Sequence, residues 1–315
     1  MGSMPSATSP AAARFALRDW VFLVAIALMW GSSFLLIKIG LEDFSPFTVA
    51  WLRIVFGALA LAVFPASWRP LRHRRDWGGA VFLGVVWMAL PFIMFTLAEQ
   101  HVSSALAGMI NGAAPLFTAG FAVLFFGAAL SRRLVAGLAV GFVGVLTLGL
   151  PNVDGVASLA GIGMCLLAVL CYGLSFNVSG PLQARNGALP IIWRAQLVAL
   201  VVSAPFGLPG LADATPTVEG VLALVAMGVL GTGLAFAMFA VLVGRVGAPR
   251  ASITTYLVPA VALGLGAGLA GESVAPLSVL GVVLVLAGAY VATSGRGVSP
   301  ARGAARRRRA GLESG

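Results

Sequence analysis

Charge is scarce in this chain: Asp, Glu, Lys and Arg make up 10% of its 315 residues, where an ordinary soluble domain carries about 25%. A chain so composed cannot clothe itself in polar surface. Cysteine is nearly absent. Cys165 and Cys171 stand six positions apart in one apolar run, on different faces of a helix, which excludes a bridge between them and leaves small apolar packing as their role. The two histidines, His73 and His101, fall in connectors at opposite ends, and no Asp or Glu falls in the interior of an apolar run. Hydrolysis or group transfer needs a metal site, paired carboxylates or a nucleophile with a base, so an intramembrane enzyme lacks its parts. Alternating strands of about 10 residues are missing too, which excludes a membrane β-barrel.

What the chain has instead is long apolar runs, with 60% of its residues hydrophobic. A spanning helix needs roughly 20 of them, because a helix rises about 1.5 Å per residue across a hydrocarbon core about 30 Å thick. Ten segments meet that test: 19–40, 46–65, 77–97, 102–126, 134–150, 157–178, 188–208, 220–243, 251–270 and 276–293. The expectation is an all-α membrane protein of ten transmembrane helices. Residues 1–18 are expected to be a retained, disordered cytoplasmic N-terminus, because the first apolar run is too long for a signal-peptide core. Residues 295–315 form a basic cytoplasmic tail.

The net charge of +10 and the run Arg306 to Arg309 invite a nucleic-acid reading. Placement argues otherwise. With the N-terminus cytoplasmic, 17 of the 20 Lys and Arg fall in cytoplasmic segments and none in an outer loop. Lys38, Arg53 and Arg194 lie within helices, while Glu42, Asp43, Glu99, Asp154, Asp213, Glu219 and Glu272 lie on the outer side. This is the positive-inside bias. It predicts a multi-pass protein of the plasma (inner) membrane with both termini cytoplasmic, and makes the tail a topology anchor.

Sliding the chain against itself by 142 residues aligns Trp30-Gly31-Ser32-Ser33-Phe34 with Tyr172-Gly173-Leu174-Ser175-Phe176, and Trp51 with Trp193. At a shift of 144, Gly84 meets Gly228, Phe92 meets Phe236, Phe95 meets Phe239, Pro115 meets Pro259, Gly127 meets Gly271 and Gly144 meets Gly288. Each half then holds five helices, and the odd count makes the two repeats inverted. Inverted repeats that exchange conformations are the basis of alternating access.

These residues resemble the drug/metabolite transporter superfamily, in its ten-helix branch of two EamA-type repeats, here 19–150 and 157–294. The carriers are Trp30 to Phe34, Arg53 after Trp51, the Pro115 helix ending in Phe126-Gly127, and the Pro259 helix ending in Gly271-Glu272. The resemblance implies an exporter of amino acids, other metabolites or drugs with a cavity between the halves. One departure stands out: where the second repeat has Gly271-Glu272, the first has Gly127-Ala128.

A proline inside a helix frees the carbonyl four residues earlier, so Pro115 is expected to free that of Asn111, and Pro259 that of Thr255. Helical spacing adds Ser104 and Gly108 to the first stripe and Ser252 and Tyr256 to the second. These stripes either line a substrate cavity or hold neighbouring helices together. Trp30, Trp87, Tyr172, Phe236 and Tyr256 lie well inside their segments, away from the interfacial belt, and suit the walls of a small-molecule pocket. Ser33 and Ser175 add polar points. Arg53, about 10 Å from the outer end of its helix, either attracts a substrate carboxylate or snorkels to the head groups; Arg194 and Lys38 have shorter snorkelling routes. Glu272, at the outer mouth, is the carboxylate nearest a proton path.

The function expected is transport of a small neutral or zwitterionic, amino acid-like metabolite or drug, moving down its gradient. An intramembrane enzyme and a channel or lipid-moving protein are the alternatives. The partners expected are the substrate and the lipid bilayer, with no nucleic acid, metal or cofactor. The oligomeric state stays open, a monomer included.

Overall fold

The protein is all-helical in a computed structural model that describes residues 16–127, 132–152, 155–246 and 253–293, with no strand among them. The N-terminus before residue 16, Ala128, Asp154, Arg250, Ser252 and the basic tail lie outside the described residues. The helices of the described residues are grouped in ten stretches, in chain order. They are α1 Leu17–Asp43, α2 Pro46–Ala62, α3 Asp76–Ala98, α4 Ser104–Phe126, α5 Arg132–Gly149, α6 Gly155–Asn186, α7 Ala188–Gly207, α8 (218–246), α9 Ile253–Gly268 and α10 Pro276–Thr293. Six of them (α1, α3, α4, α6, α7 and α8) are long and apolar enough to cross a bilayer; α2, α9 and α10 contribute shorter apolar stretches. Their outward faces carry large apolar side chains such as Leu28, Phe142, Val201 and Leu222, as lipid requires and water would penalise.

Helix starts follow local chemistry. Ser45 accepts from the Thr48 N–H ahead of Pro46 at the first position of α2. Ser103 caps α4 through Leu106 N–H, and Thr217 caps α8 through Gly220 N–H. Gly127 and Gly271, after α4 and α9, both adopt positive φ, 67° and 64°, a conformation that only glycine enters without strain.

Three departures from the sequence reading involve proline. Helix α2 stops at Ala62, because Pro65 opens a separate 3-10 turn, Pro65–Trp68. Helix α6 runs on to Asn186 through Pro181, which carries Arg185 to Asp76. Helix α4 is interrupted: Gly112 and Ala113 donate to Met109 O and Ile110 O in tight turns, and Pro115 sits in the first turn of a new segment, Ala114–Phe126. A proline there lacks only an N–H that had no helical partner. Pro259, by contrast, lies inside α9, so the two prolines, matched in sequence, are not matched in local structure.

Contacts recur at the spacing of the sequence repeat. A Cβ on Gly31 in α1 would lie 2.5 Å from Val261 Cβ in α9, and one on Gly173 in α6 would lie 2.7 Å from Phe117 Cβ in α4. One on Gly84 in α3 would meet Ala195 O of α7 at 2.6 Å, and one on Gly228 in α8 would meet Arg53 O of α2 at 2.9 Å. Helices α5 and α10 pack backbone to backbone, with Gly144 against the Val285 backbone and Gly288 against that of Gly137. Helices α3 and α8 also share a local π-helical stretch, Gly84–Ala89 and Met227–Leu234, a type of irregularity that often accompanies functional sites.

Candidate functional site

At the centre of the bundle, aromatic side chains from four helices form one connected chain. Trp30 of α1 meets Phe236 of α8 with ring centroids 5.7 Å apart, and Phe236 meets Trp87 of α3 at 5.3 Å. Trp87 meets Phe176 of α6 at 5.8 Å, Phe176 stacks on Tyr172, and Tyr172 meets Phe95 at 6.0 Å. Edge-on and offset contacts of this kind suit the ring quadrupoles. Four of the five aromatics singled out in the sequence are thus brought together; the side chain of Tyr256 lies outside the described residues. Phe176 and Phe95 join them as members the sequence reading missed.

The polar residues around this chain are buried and sparsely paired. Ser33 donates to Met29 O over 3.0 Å. Ser175 Oγ and Asn111 Oδ1 are buried with no hydrogen-bond partner among the described residues, and so are both amide atoms of Gln196. Such atoms are rare in a packed interior. Arg53 does not snorkel: it is 7% exposed, its Nε donates to Thr232 Oγ1 over 3.0 Å, and its guanidinium lies 4.0 Å from the centroid of the Phe92 ring. A planar cation held by a hydroxyl and a ring face is more stable there than bare. Tyr172 and Glu99 are its electrostatic neighbours.

The two proline stripes face each other across α4 and α9. Gly108 packs on Ala262, and a Cβ on Gly112 would lie 2.5 Å from Pro259 Cγ. Thr255 is half-buried.

A second cluster stands at the end of the bundle where the acidic connectors gather. Lys38 Nζ lies 2.9 Å from Glu272 Oε1. Glu272 also accepts from Ser104 N–H at 3.1 Å, Ala105 N–H at 2.9 Å and the Ser104 hydroxyl. These are the N–H groups that a helix start leaves free, and a carboxylate there is favoured by the helix dipole. Burial alone would raise Glu272, but the bonds from Ala105, Lys38 and Ser104 outweigh it and hold the group below the usual carboxylate range. Lys38 therefore turns to Glu272 instead of the head groups. A cavity of about 280 Å³ opens beside the cluster, lined by Val102 and by polar residues that include Lys38, Glu99, Ser104 and Glu272. At the opposite end Asp76 accepts from Arg185 and Asn186, and Arg194 is buried, donating to Ser67 O and Pro190 O. The Nη1 of Arg194 is thus held by backbone carbonyls of Ser67 and Pro190. Among the described residues no three His, Cys, Asp or Glu side chains gather as metal ligands would.

The model of the EamA-like transporter family matches residues 19–150 and 159–294. The chain belongs to the EamA-like transporter family. It is a multi-pass membrane protein of the drug/metabolite transporter superfamily. Among its relatives, the uncharacterized inner membrane transporter YedA of Escherichia coli is 28% identical over 89% of this chain and 92% of its own. A probable amino-acid metabolite efflux pump of Salmonella typhimurium is 26% identical over 87% and 94%. A solved crystal structure superposes with a TM-score of 0.62, covering 88% of this chain and 97% of that one at 18% identity, and so shares its fold.

In this EamA-like transporter the sequence reading also passed over Thr232, Gln196 and Glu99. Thr232 and Gln196 carried no signal, being single polar residues in apolar runs. Glu99 was placed in an outer loop. It does follow the last residue of α3, yet both carboxylate oxygens are buried.

Proposed function

We propose that this transporter exports a small neutral or zwitterionic metabolite of amino-acid size, or a drug of similar character, by alternating access between two inverted five-helix repeats, 19–150 and 157–294. Both termini are then cytoplasmic and the acidic end of the bundle faces outward. The observation that carries the reading is the aromatic chain from Trp30 through Phe236, Trp87 and Phe176 to Tyr172, built by helices of both repeats, with Tyr172 beside Arg53 and with Ser175 Oγ buried without a hydrogen-bond partner among the described residues. Apolar walls with a few convergent polar groups suit a small molecule, and Arg53 suits a carboxylate. The exchanged pairs, α1 with α9 and α6 with α4, α3 with α7 and α8 with α2, support two like units packed across each other. Relatives named as amino-acid metabolite efflux pumps favour that substrate class.

The test is uptake of each neutral radiolabelled amino acid into proteoliposomes holding the full chain, with Asn111→Ala and Thr255→Val beside the parent. Substrate-specific flux that falls in both variants supports the reading. Absence of flux for every amino acid removes the substrate class, and a periplasmic signal from a C-terminal alkaline-phosphatase fusion removes the topology.

A further inference from the structure

The acidic-end cavity holds two carboxylates in opposite states of satisfaction. Glu272 is fully engaged by Lys38, Ser104 and Ala105, whereas neither oxygen of Glu99 has a partner among the described residues, although both are buried. We propose that Glu99 is a proton-binding site of this cavity, and that its protonation sets how firmly Glu272 holds Lys38 and the start of α4.

The charged and titratable groups that act on Glu99 come from four parts of the chain. They are Lys38 from α1, Arg53 from α2, Cys165 from α6 and Glu272 from the segment after α9; Val102 and Ser103 before α4, Ser104 at its start and Ser273 line the cavity with them. An ionised carboxylate with no hydrogen bond is costly to bury and tends to take up a proton instead. Burial raises Glu99 well above the usual range, the like charge of Glu272 adds to this, and Arg53 and Lys38 only partly offset it. Environments that drive two neighbouring carboxyls apart divide them into a charged partner and a proton carrier.

The link to Glu272 is electrostatic. Ionised Glu99 attracts Lys38 and repels Glu272, so it loosens the ion pair that ties α1 to the end of α9 and the start of α4. A proton arriving from water in the cavity converts the Glu99 carboxylate to a carboxylic acid and removes both effects. In an exporter, a role that rests on the reading above, proton uptake at the outer mouth closes it behind departing substrate. Transport is then exchange for protons, in place of the passive movement expected from the sequence.

The test uses the full chain in lipid nanodiscs without substrate. Infrared titration is expected to show a protonated-carboxyl C=O band persisting well above the ordinary glutamate value of about 4.3. That band should vanish in Glu99→Gln and titrate at lower pH in Glu272→Gln. Hydrogen exchange of the Ser104 and Ala105 amides, corrected for its intrinsic pH dependence, should accelerate about tenfold as the parent passes that midpoint, one pKa unit's worth of coupling, and stay level in Glu99→Gln. A band that survives in Glu99→Gln, or titrates as an ordinary glutamate, overturns the site; exchange that responds alike in both proteins overturns the link. Since neither readout needs substrate, failure to transport amino acids would count against the proposed function and leave this result standing.

Discussion

Arg53 in α2 and Thr232 in α8 meet inside the bundle, Nε donating to Oγ1 over 3.0 Å between residues 179 positions apart. The pair ties the first matched stretch to the second, and Thr232 Oγ1 also donates to Met227 O within α8 over 3.4 Å. Thr232→Val keeps the shape and removes the acceptor. It is expected to cost about 1 kcal/mol, in the range of interhelical hydrogen bonds in membranes, read as a lower melting temperature in detergent. Arg53→Lys loses both the Nε bond and the planar stack on Phe92, and should lower transport roughly tenfold, the worth of one charge-assisted hydrogen bond. Parental transport in Arg53→Lys would assign Arg53 to structure alone.

Ser175 separates packing from recognition. Its hydroxyl is buried with no hydrogen-bond partner among the described residues, so Ser175→Ala removes an unsatisfied group and should leave the melting temperature unchanged or raised. Transport should nevertheless fall if that hydroxyl meets substrate. Equal transport and stability in parent and variant would take Ser175 out of the site.

Glu272 makes the fold sensitive to acid. Its folded value is depressed, so its contribution is present above the unfolded carboxylate value and is lost as pH falls through the folded one. Glu272→Ala should cost about 2 kcal/mol at neutral pH, because it strands Lys38 and two helix-start N–H groups, and should flatten the acid limb of a melting-temperature profile. A profile that keeps the parental acid limb would remove Glu272 as its cause.

Glu99 acts in the opposite sense. Its folded value is raised, so the protein is relatively stable below the unfolded value and loses stability as pH rises through the folded one. Glu99→Gln should therefore melt above the parent at alkaline pH and level with it in acid. Superimposed profiles would show that Glu99 ionises without cost.

The α5 and α10 pair depends on absent side chains. A Cβ on Gly144 would lie 2.5 Å from the Val285 amide nitrogen, a contact with backbone that no rotamer relieves. Gly144→Ala is expected to cost about 1–3 kcal/mol, as overpacking does, visible as reduced yield of folded protein. Normal yield and melting temperature would mean that the two helices separate freely.

By itself the sequence determined the helical class, the order of the apolar segments, the glycines after α4 and α9, and the central aromatics. These follow from local rules: the length needed to cross hydrocarbon, the turn only glycine makes, and the depth of a residue within its segment. The tertiary structure decided what each polar residue meets. Pro115 reads as a helix interior until Gly112 and Ala113 are seen to close tight turns before it. Arg53 reads as a side chain that either attracts a substrate carboxylate or snorkels, until Thr232 and Phe92 are seen to hold it inside the bundle. Glu272 reads as the carboxylate nearest a proton path and Glu99 only as an acid on the outer side, until Glu272 is seen to take four donors and Glu99 none among the described residues. Burial and pairing between residues more than 160 positions apart depend on where helices cross, which is set by the packing of whole faces and is written in no local stretch of the chain.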